Sequence, residues 1–362
     1  MKLPIDLKAV IEAATDIESA RNTPVSVSVL IDDSAPGDVA AHVRSAFVGA
    51  GAHARVTVGY FAGPAFSPYE GDDMAVIVAG FSEEVGRRAA EIRAAGVPVM
   101  VVTSMPRLVA DMASAYGNPI PEGDLVAPEG VEGCEADGDA TCESGDVAGV
   151  NAQPPETLDA PIPIDAAAAA ALDRRMGEWV VAACREKRLA LALSFPFVRR
   201  PLSLEAVSAT SLQNAGIGLV LFIPGADMPL MTLNQTKMLL QIAAAYGEPM
   251  SVARVKELAA IVGGAFACRS VARQVAGAVP AIGWAVKAGV GYAGTKAMGL
   301  AAVEYFERGG NIAGLAGVVS TATAKATQIA GDVAATPAGA RVLSTVKAAV
   351  RQGAASVLKK TE

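Results

Sequence analysis

Over the first 120 residues, short continuous apolar blocks alternate with stretches of helical period. Val25–Ile31, Ala54–Tyr60, Met74–Ala79 and Val97–Thr103 read as strands: they are β-branched, four to eight residues long and bounded by turn residues. Asp38–Ala50, Glu83–Ala95 and Arg107–Tyr116 repeat their apolar positions every three to four residues, which predicts amphipathic helices. A further amphipathic helix, with no continuous apolar region of a secretory signal, is predicted over the opening MKLPIDLKAVIEAATDIESARN. Strands separated by helices predict a parallel sheet covered on both faces, an α/β doubly wound domain over residues 1–120.

Between residues 121 and 164 the pattern stops. Gly, Pro, Asp and Glu dominate, and residues 122–165 hold 12 acidic side chains and no Lys or Arg. A segment of this kind buries too little apolar surface to offset its ordering entropy, which predicts a disordered acidic linker. It reads either as a solvated tether or as an acidic decoy for the basic half that follows.

From Asp165, which reads as an N-cap, the chain is expected to be helical, with breaks at Pro201, at Ile223–Asp227, after Tyr246-Gly247, near Pro280, at Gly309-Gly310 and at Pro337. These helices are apolar on nearly every side, which places them in a large core or a bilayer. An all-α C-terminal domain is expected over 165–310, followed by a basic amphipathic tail over 311–362.

Charge sharpens this division. Residues 166–362 carry 21 Lys and Arg against 11 Asp and Glu, although the whole chain is at −7. A basic, apolar half suits an anionic surface, either lipid or a protein partner. Nucleic acid is not expected, because the cations are scattered and aromatics make up 5% of the chain. Lys347, Arg351, Lys359 and Lys360 are the candidate lipid-facing cations of the tail, which reads equally as an interfacial helix or as one packed on its own bundle. No run is a clean transmembrane span, yet Gly263-Gly264 and Gly289–Gly294 permit the close helix contacts that membranes favour.

Two histidines, His42 and His53, and four cysteines offer no zinc spacing, nucleophile–base pair or paired carboxylates. The expected protein is non-enzymatic and uses no cofactor.

One pattern is more specific. Pro224-Gly225-Ala226-Asp227-Met228-Pro229 precedes Leu233-Asn234-Gln235 and Ile242–Gly247, with Tyr246-Gly247 at its end. Gly225 suits a tight turn, Asp227 a helix cap, Pro229 a first helical turn and Gly247 a left-handed helix end. The alternative places Asp227 and Gln235 on an ion path with Lys237, Lys287 or Lys296. Across residues 180–310 this half resembles a bacterial domain of unknown function that follows Era-like or dynamin-like GTPase domains and occurs in YcjF-type inner-membrane proteins. The resemblance implies attachment at the cytoplasmic face of the inner membrane, to lipid or a membrane protein. It implies no reaction.

Residues 25–115 resemble an Era-like GTPase core by pattern only. A phosphate loop needs Gly-x4-Gly-Lys-Ser/Thr. If Gly37 is its second glycine, Asp32 stands in place of the first, Asp38 in place of the lysine and Val39 in place of the hydroxyl residue. Thr103-Ser104-Met105-Pro106 supplies neither the lysine nor the aspartate of a guanine-reading segment. The expected domain is therefore a degenerate, P-loop-GTPase-like fold that binds no nucleotide. Asp32, Asp33 and Gly37 become site residues only if the loop is an atypical GTPase site; Asp32 and Asp33 otherwise read as a magnesium pair or as loop caps. The function expected is membrane-associated regulation or scaffolding with a protein partner. The alternatives are a GTPase-like enzyme and a soluble scaffold with a homo-oligomeric core.

Overall fold

A computed structural model of the chain describes residues 7–51, 53–62, 71–128, 161–220, 227–250 and 283–311, together with 315, 317 and 321. The chain divides into two compact units, one spanning Pro24–Glu186 and the other combining Met1–Thr23 with Lys187–Glu362. Helix α1 (Leu7–Arg21) belongs to the second.

The first unit is an α/β doubly wound domain. Its strands β1 (Val25–Ile31), β2 (Ala54–Tyr60), β3 (Met74–Val78), β4 (Val99–Val102) and β5 (Leu125–Val126) form one parallel sheet in the order β2-β1-β3-β4-β5. Strand β3 is buried along its whole length, as a central parallel strand must be. Helices α3 (Glu84–Ala94) and α4 (Pro106–Ala115) cover one face, where Leu30, Ile77, Val101, Ile92 and Val109 meet in one cluster. They pack closely because Gly86 lacks a side chain: a Cβ there would lie 2.4 Å from the Asn118 carbonyl oxygen. The direction of winding reverses between β1 and β3, so the right-handed crossover of helix α2 (Gly37–Val48) lies on the opposite face. Val39, Val43 and Phe47 form its buried stripe.

Helix α5 (Ala166–Ala183) completes this unit, and here the structure corrects the expected boundaries. Its Leu172, Met176, Trp179 and Val180 repeat at helical spacing and are buried. Arg175 Nη1 donates to the Ala127 carbonyl at 3.0 Å, Trp179 Nε1 to Asp124 Oδ1 at 3.3 Å, and His42 Nε2 meets Asp173 Oδ1 at 2.8 Å. Asp165 caps the helix by accepting from the Ala168 N–H at 2.8 Å. The α/β unit therefore reaches Glu186, and the acidic stretch is an insertion between β5 and α5, not a linker between domains. Its start is ordered: Glu122–Asp124 forms a 3₁₀ turn and Leu125–Val126 the last strand. Residues 129–160, where disorder is expected, lie outside the described residues.

The second unit is helical: α6 (Arg188–Ser194), α7 (Pro196–Val220), α8 (Asp227–Ala245) and α9 (Gly283–Glu307), with α1 packed against α6 and α8. Val10, Ala14 and Ile17 of α1 share one buried cluster with Val207, Met238, Ile242, Met298 and Phe306. The opening helix thus completes the C-terminal core. Helices α7 and α9 approach closely at Gly299, where a Cβ would lie 2.4 Å from Val207 Cγ2. The break expected at Pro201 is absent, since α7 runs from Pro196 through it. Proline removes one N–H donor near the helix start, and the rest of the ladder continues. Helix α8 stops where Gly247 takes φ +90°, with its N–H bonded to the Ala244 carbonyl at 2.9 Å. Among the described residues, no helix is long and apolar enough to cross a membrane.

Candidate functional site

In an open parallel sheet, ligands bind beyond the C-terminal ends of the strands, where the winding reverses. In this unit that place lies between the loop after β1, which carries Asp32 and Asp33, and the loop after β3, which carries Gly80 and Ser82. Asp32 is 3% exposed. Its Oδ1 accepts from the Ser34 N–H at 3.0 Å and the Ser34 hydroxyl at 2.8 Å. Its Oδ2 accepts from the Gly80 N–H at 2.8 Å and the Ser82 N–H at 3.2 Å. Three backbone amides and a hydroxyl converging on one point make an anion site, and the chain supplies its own anion.

The two loops also touch directly. A Cβ on Gly80 would lie 2.3 Å from the Ser34 carbonyl carbon and 2.4 Å from the Ala35 nitrogen. The Ser34 hydroxyl oxygen then accepts from the Phe81 N–H at 2.7 Å. Asp33 turns outward and its Oδ2 accepts from the Ala62 N–H at 2.7 Å, so the two neighbouring carboxylates serve different loops. Among the described residues, no group of acidic, His or Cys side chains is arranged to hold a metal ion. Gly37 opens α2 without a positive φ, and a Cβ added there would meet no atom within 4 Å, so nothing local demands glycine.

A second strand of chain closes the same edge. The Ile162 N–H donates to the Ser104 carbonyl, beyond β4, at 3.1 Å, and the Ile164 N–H donates to Asp38 Oδ2, at the start of α2, at 3.1 Å. Residues 161–165 thereby cross the strand ends before α5 begins. Thr103 Oγ1 accepts from the Met105 N–H at 3.1 Å. The residues standing where a guanine-reading segment would be are thus tied into turn and strap.

The Asn234 and Gln235 positions lead into a different cluster, buried between α7, α8 and α9. Asn214, fully buried in α7, donates through Nδ2 to Thr295 Oγ1 at 2.9 Å and accepts from Asn234 Nδ2 at 3.1 Å. Gln235 Nε2 donates to the same Thr295 oxygen at 2.8 Å. The arrangement is a polar tie among three apolar helices and fixes their register, because sliding any one helix would strand buried amides. Replacing Asn214 with Leu should cost about 2 kcal/mol in urea unfolding, since half-buried Asn234 loses its acceptor and buried Thr295 loses one of its two amide donors. Lys296 is exposed, 5.9 Å from the centre of the Tyr292 ring. Tyr246 stacks on Phe306 with ring centres 6.0 Å apart, and burial, with the Glu307 carboxylate nearby, pushes its phenol pKa up.

Of the remaining candidates, Asp227 and Pro229 lie in the first turn of α8, while Pro224, Gly225, Lys347, Arg351, Lys359 and Lys360 lie outside the described residues. Sequence reading missed Ser34, Gly80 and Ser82 as partners of Asp32, and Asn214 and Thr295 as partners of Gln235. An asparagine amid an apolar helix was the available signal for the second set. Cys184, at the end of α5, is a buried thiol pushed up to about 12, chiefly by burial and then by the Asp73 charge, and so is no nucleophile. Comparison of the chain with protein-family models, with curated proteins and with solved structures finds no match.

Proposed function

We propose that this chain is a non-enzymatic, membrane-associated regulatory or scaffolding protein whose α/β unit is nucleotide-incompetent. The carrying observation is the Asp32 carboxylate, which holds the amides of Ser34, Gly80 and Ser82 that a phosphate would need. A triphosphate brought to this edge meets like charge from Asp32 and Asp38 at close range. The GTPase-like reading rests on the strand–loop–helix of Val25–Val48, and its loop chemistry is that of a unit which has exchanged an external anion for an internal one. Such a unit is suited to bind a protein partner.

The helical unit is the proposed attachment to the cytoplasmic face of the inner membrane, through anionic lipid or a membrane protein. The excess of cations over residues 166–362 and the resemblance to YcjF-type domains support this. In a thermal-shift assay with magnesium and millimolar GTP, GDP or ATP, the melting temperature should move by less than about 1 °C. A rise of several degrees would restore the GTPase reading. In cell fractionation the chain should pellet with membranes and be released by carbonate. Recovery entirely in the supernatant would sink the membrane reading and favour a scaffold that works away from lipid.

A further inference from the structure

The sheet has two unequal edges. Strand β5 has only two residues, and α5 and the preceding turn pack beside it. Strand β2 has seven residues, and among the described residues no helix stands between it and β3. Val58 and Tyr60 are 40% and 44% exposed on this strand, which is unusual for large apolar side chains in a parallel sheet.

Its hydrogen bonding is half used. The His53 carbonyl accepts from the Val25 N–H at 3.0 Å, and the Phe61 N–H donates to the Ile31 carbonyl at 3.0 Å. Odd-numbered residues of the strand therefore aim their backbone groups at β1. Val56, Val58 and Tyr60 aim theirs outward, where they have no partner among the described residues. Of the usual protections of a free edge the strand carries one charge, Arg55, and residues 54–60 contain no proline, no lysine and no bulge.

We propose that this edge binds a second copy of the same chain, with two β2 strands pairing antiparallel about a two-fold axis at Thr57. This goes beyond the reading above and does not depend on it. In that register Val56 faces the partner's Val58, and their outward backbone groups meet in both directions. Ala54 faces the partner's Tyr60 and offers its carbonyl, since its N–H already donates to the Gly51 carbonyl at 3.0 Å. The apolar side chains all fall on one side of the joined sheet. Arg55, the one charge in the strand, faces the partner's Gly59, so no like charges meet. The strand is thus complementary to itself in hydrogen bonding, apolar side chains and charge, which an isologous contact requires. Because β5 is short and covered, pairing stops at two copies and makes one ten-stranded sheet.

The test is sedimentation equilibrium of the full chain. The native chain should form a dimer that dissociates on dilution. Val58→Pro removes only an outward N–H, leaves the β1 ladder intact and should weaken association at least about tenfold. Val58→Lys should do the same while keeping that N–H, and circular dichroism would show both variants folded. In a background without the four native cysteines, Thr57→Cys should oxidise to a disulfide-linked dimer, because the two-fold places each residue 57 opposite its own mate. Arg55→Cys should not, since its mate lies four positions along the strand, about 13 Å away. A native chain that is monomeric at every concentration would overturn the proposal. So would a dimer unaffected by both Val58 variants, or cross-linking equal at 55 and 57.

Discussion

Replacing Asp32 with Ala is expected to destabilise the α/β unit by about 4 kcal/mol, a large part of the stability of an ordinary domain. The side chain removed is small, and the loss comes from its partners. The amides of Ser34, Gly80 and Ser82 and the Ser34 hydroxyl all point at a carboxylate that is 3% exposed. Truncation leaves the buried Gly80 amide without an acceptor, which costs more than the net worth of its bond. The exposed Ser34 donors and the half-buried Ser82 amide lose charge-assisted bonds that water replaces only in part. Asp32→Asn should recover only part of the loss, because one oxygen becomes an NH₂ group facing N–H donors. Urea unfolding followed by Trp179 fluorescence, with Trp284 changed to Phe, reads this unit separately, since Trp179 lies in α5 and Trp284 in α9. A change below about 1 kcal/mol would mean the loops are held together by something other than this anion.

The second large effect is expected at Gly80. An added Cβ would meet the Ser34 carbonyl carbon at 2.3 Å and the Ser34 oxygen and Ala35 nitrogen at 2.4 Å. All three atoms are backbone, in a loop already fixed by Asp32, so no side chain can rotate away. Gly80→Ala should therefore cost about 3 kcal/mol or more, at the upper end for overpacking, and Gly80→Val should fold poorly. The contrast is Gly37, where a Cβ meets nothing within 4 Å. Gly37→Ala should be neutral or stabilise by up to about 1 kcal/mol through the unfolded chain. If the two glycines responded alike, the close loop contact would not exist in solution.

Local pattern carried much of this fold. The apolar blocks at Val25–Ile31 and Ala54–Tyr60 match β1 and β2 residue for residue, and Met74–Ala79 overruns β3 by one. Those strands are readable because each is long, β-branched and flanked by turn residues. Leu125–Val126 was not, because two residues inside an acidic stretch have no period; β5 exists through its pairing with β4 and the helix beside it. The allegiance of α1 and α5 was equally hidden. An amphipathic stripe shows that a helix buries one face, but not which distant surface covers it. At the candidate site, Asp32 was legible as a carboxylate at a strand end. That its charge faces inward depends on Gly80, 48 residues away, whose role is visible only once the loops are in space.

The discontinuous helical unit sets a timetable for synthesis. Helix α1 leaves the ribosome before the α/β unit, yet its partners start at Lys187, beyond the whole of that unit. At roughly 5–20 residues per second, its apolar stripe waits about 10–45 s for α6 and α8 to emerge in full. During that interval Pro24–Glu186 has all its own strands and helices and is free to fold. Val10, Ala14 and Ile17 meanwhile remain the nascent chain's exposed surface, a natural landing place for a ribosome-associated chaperone.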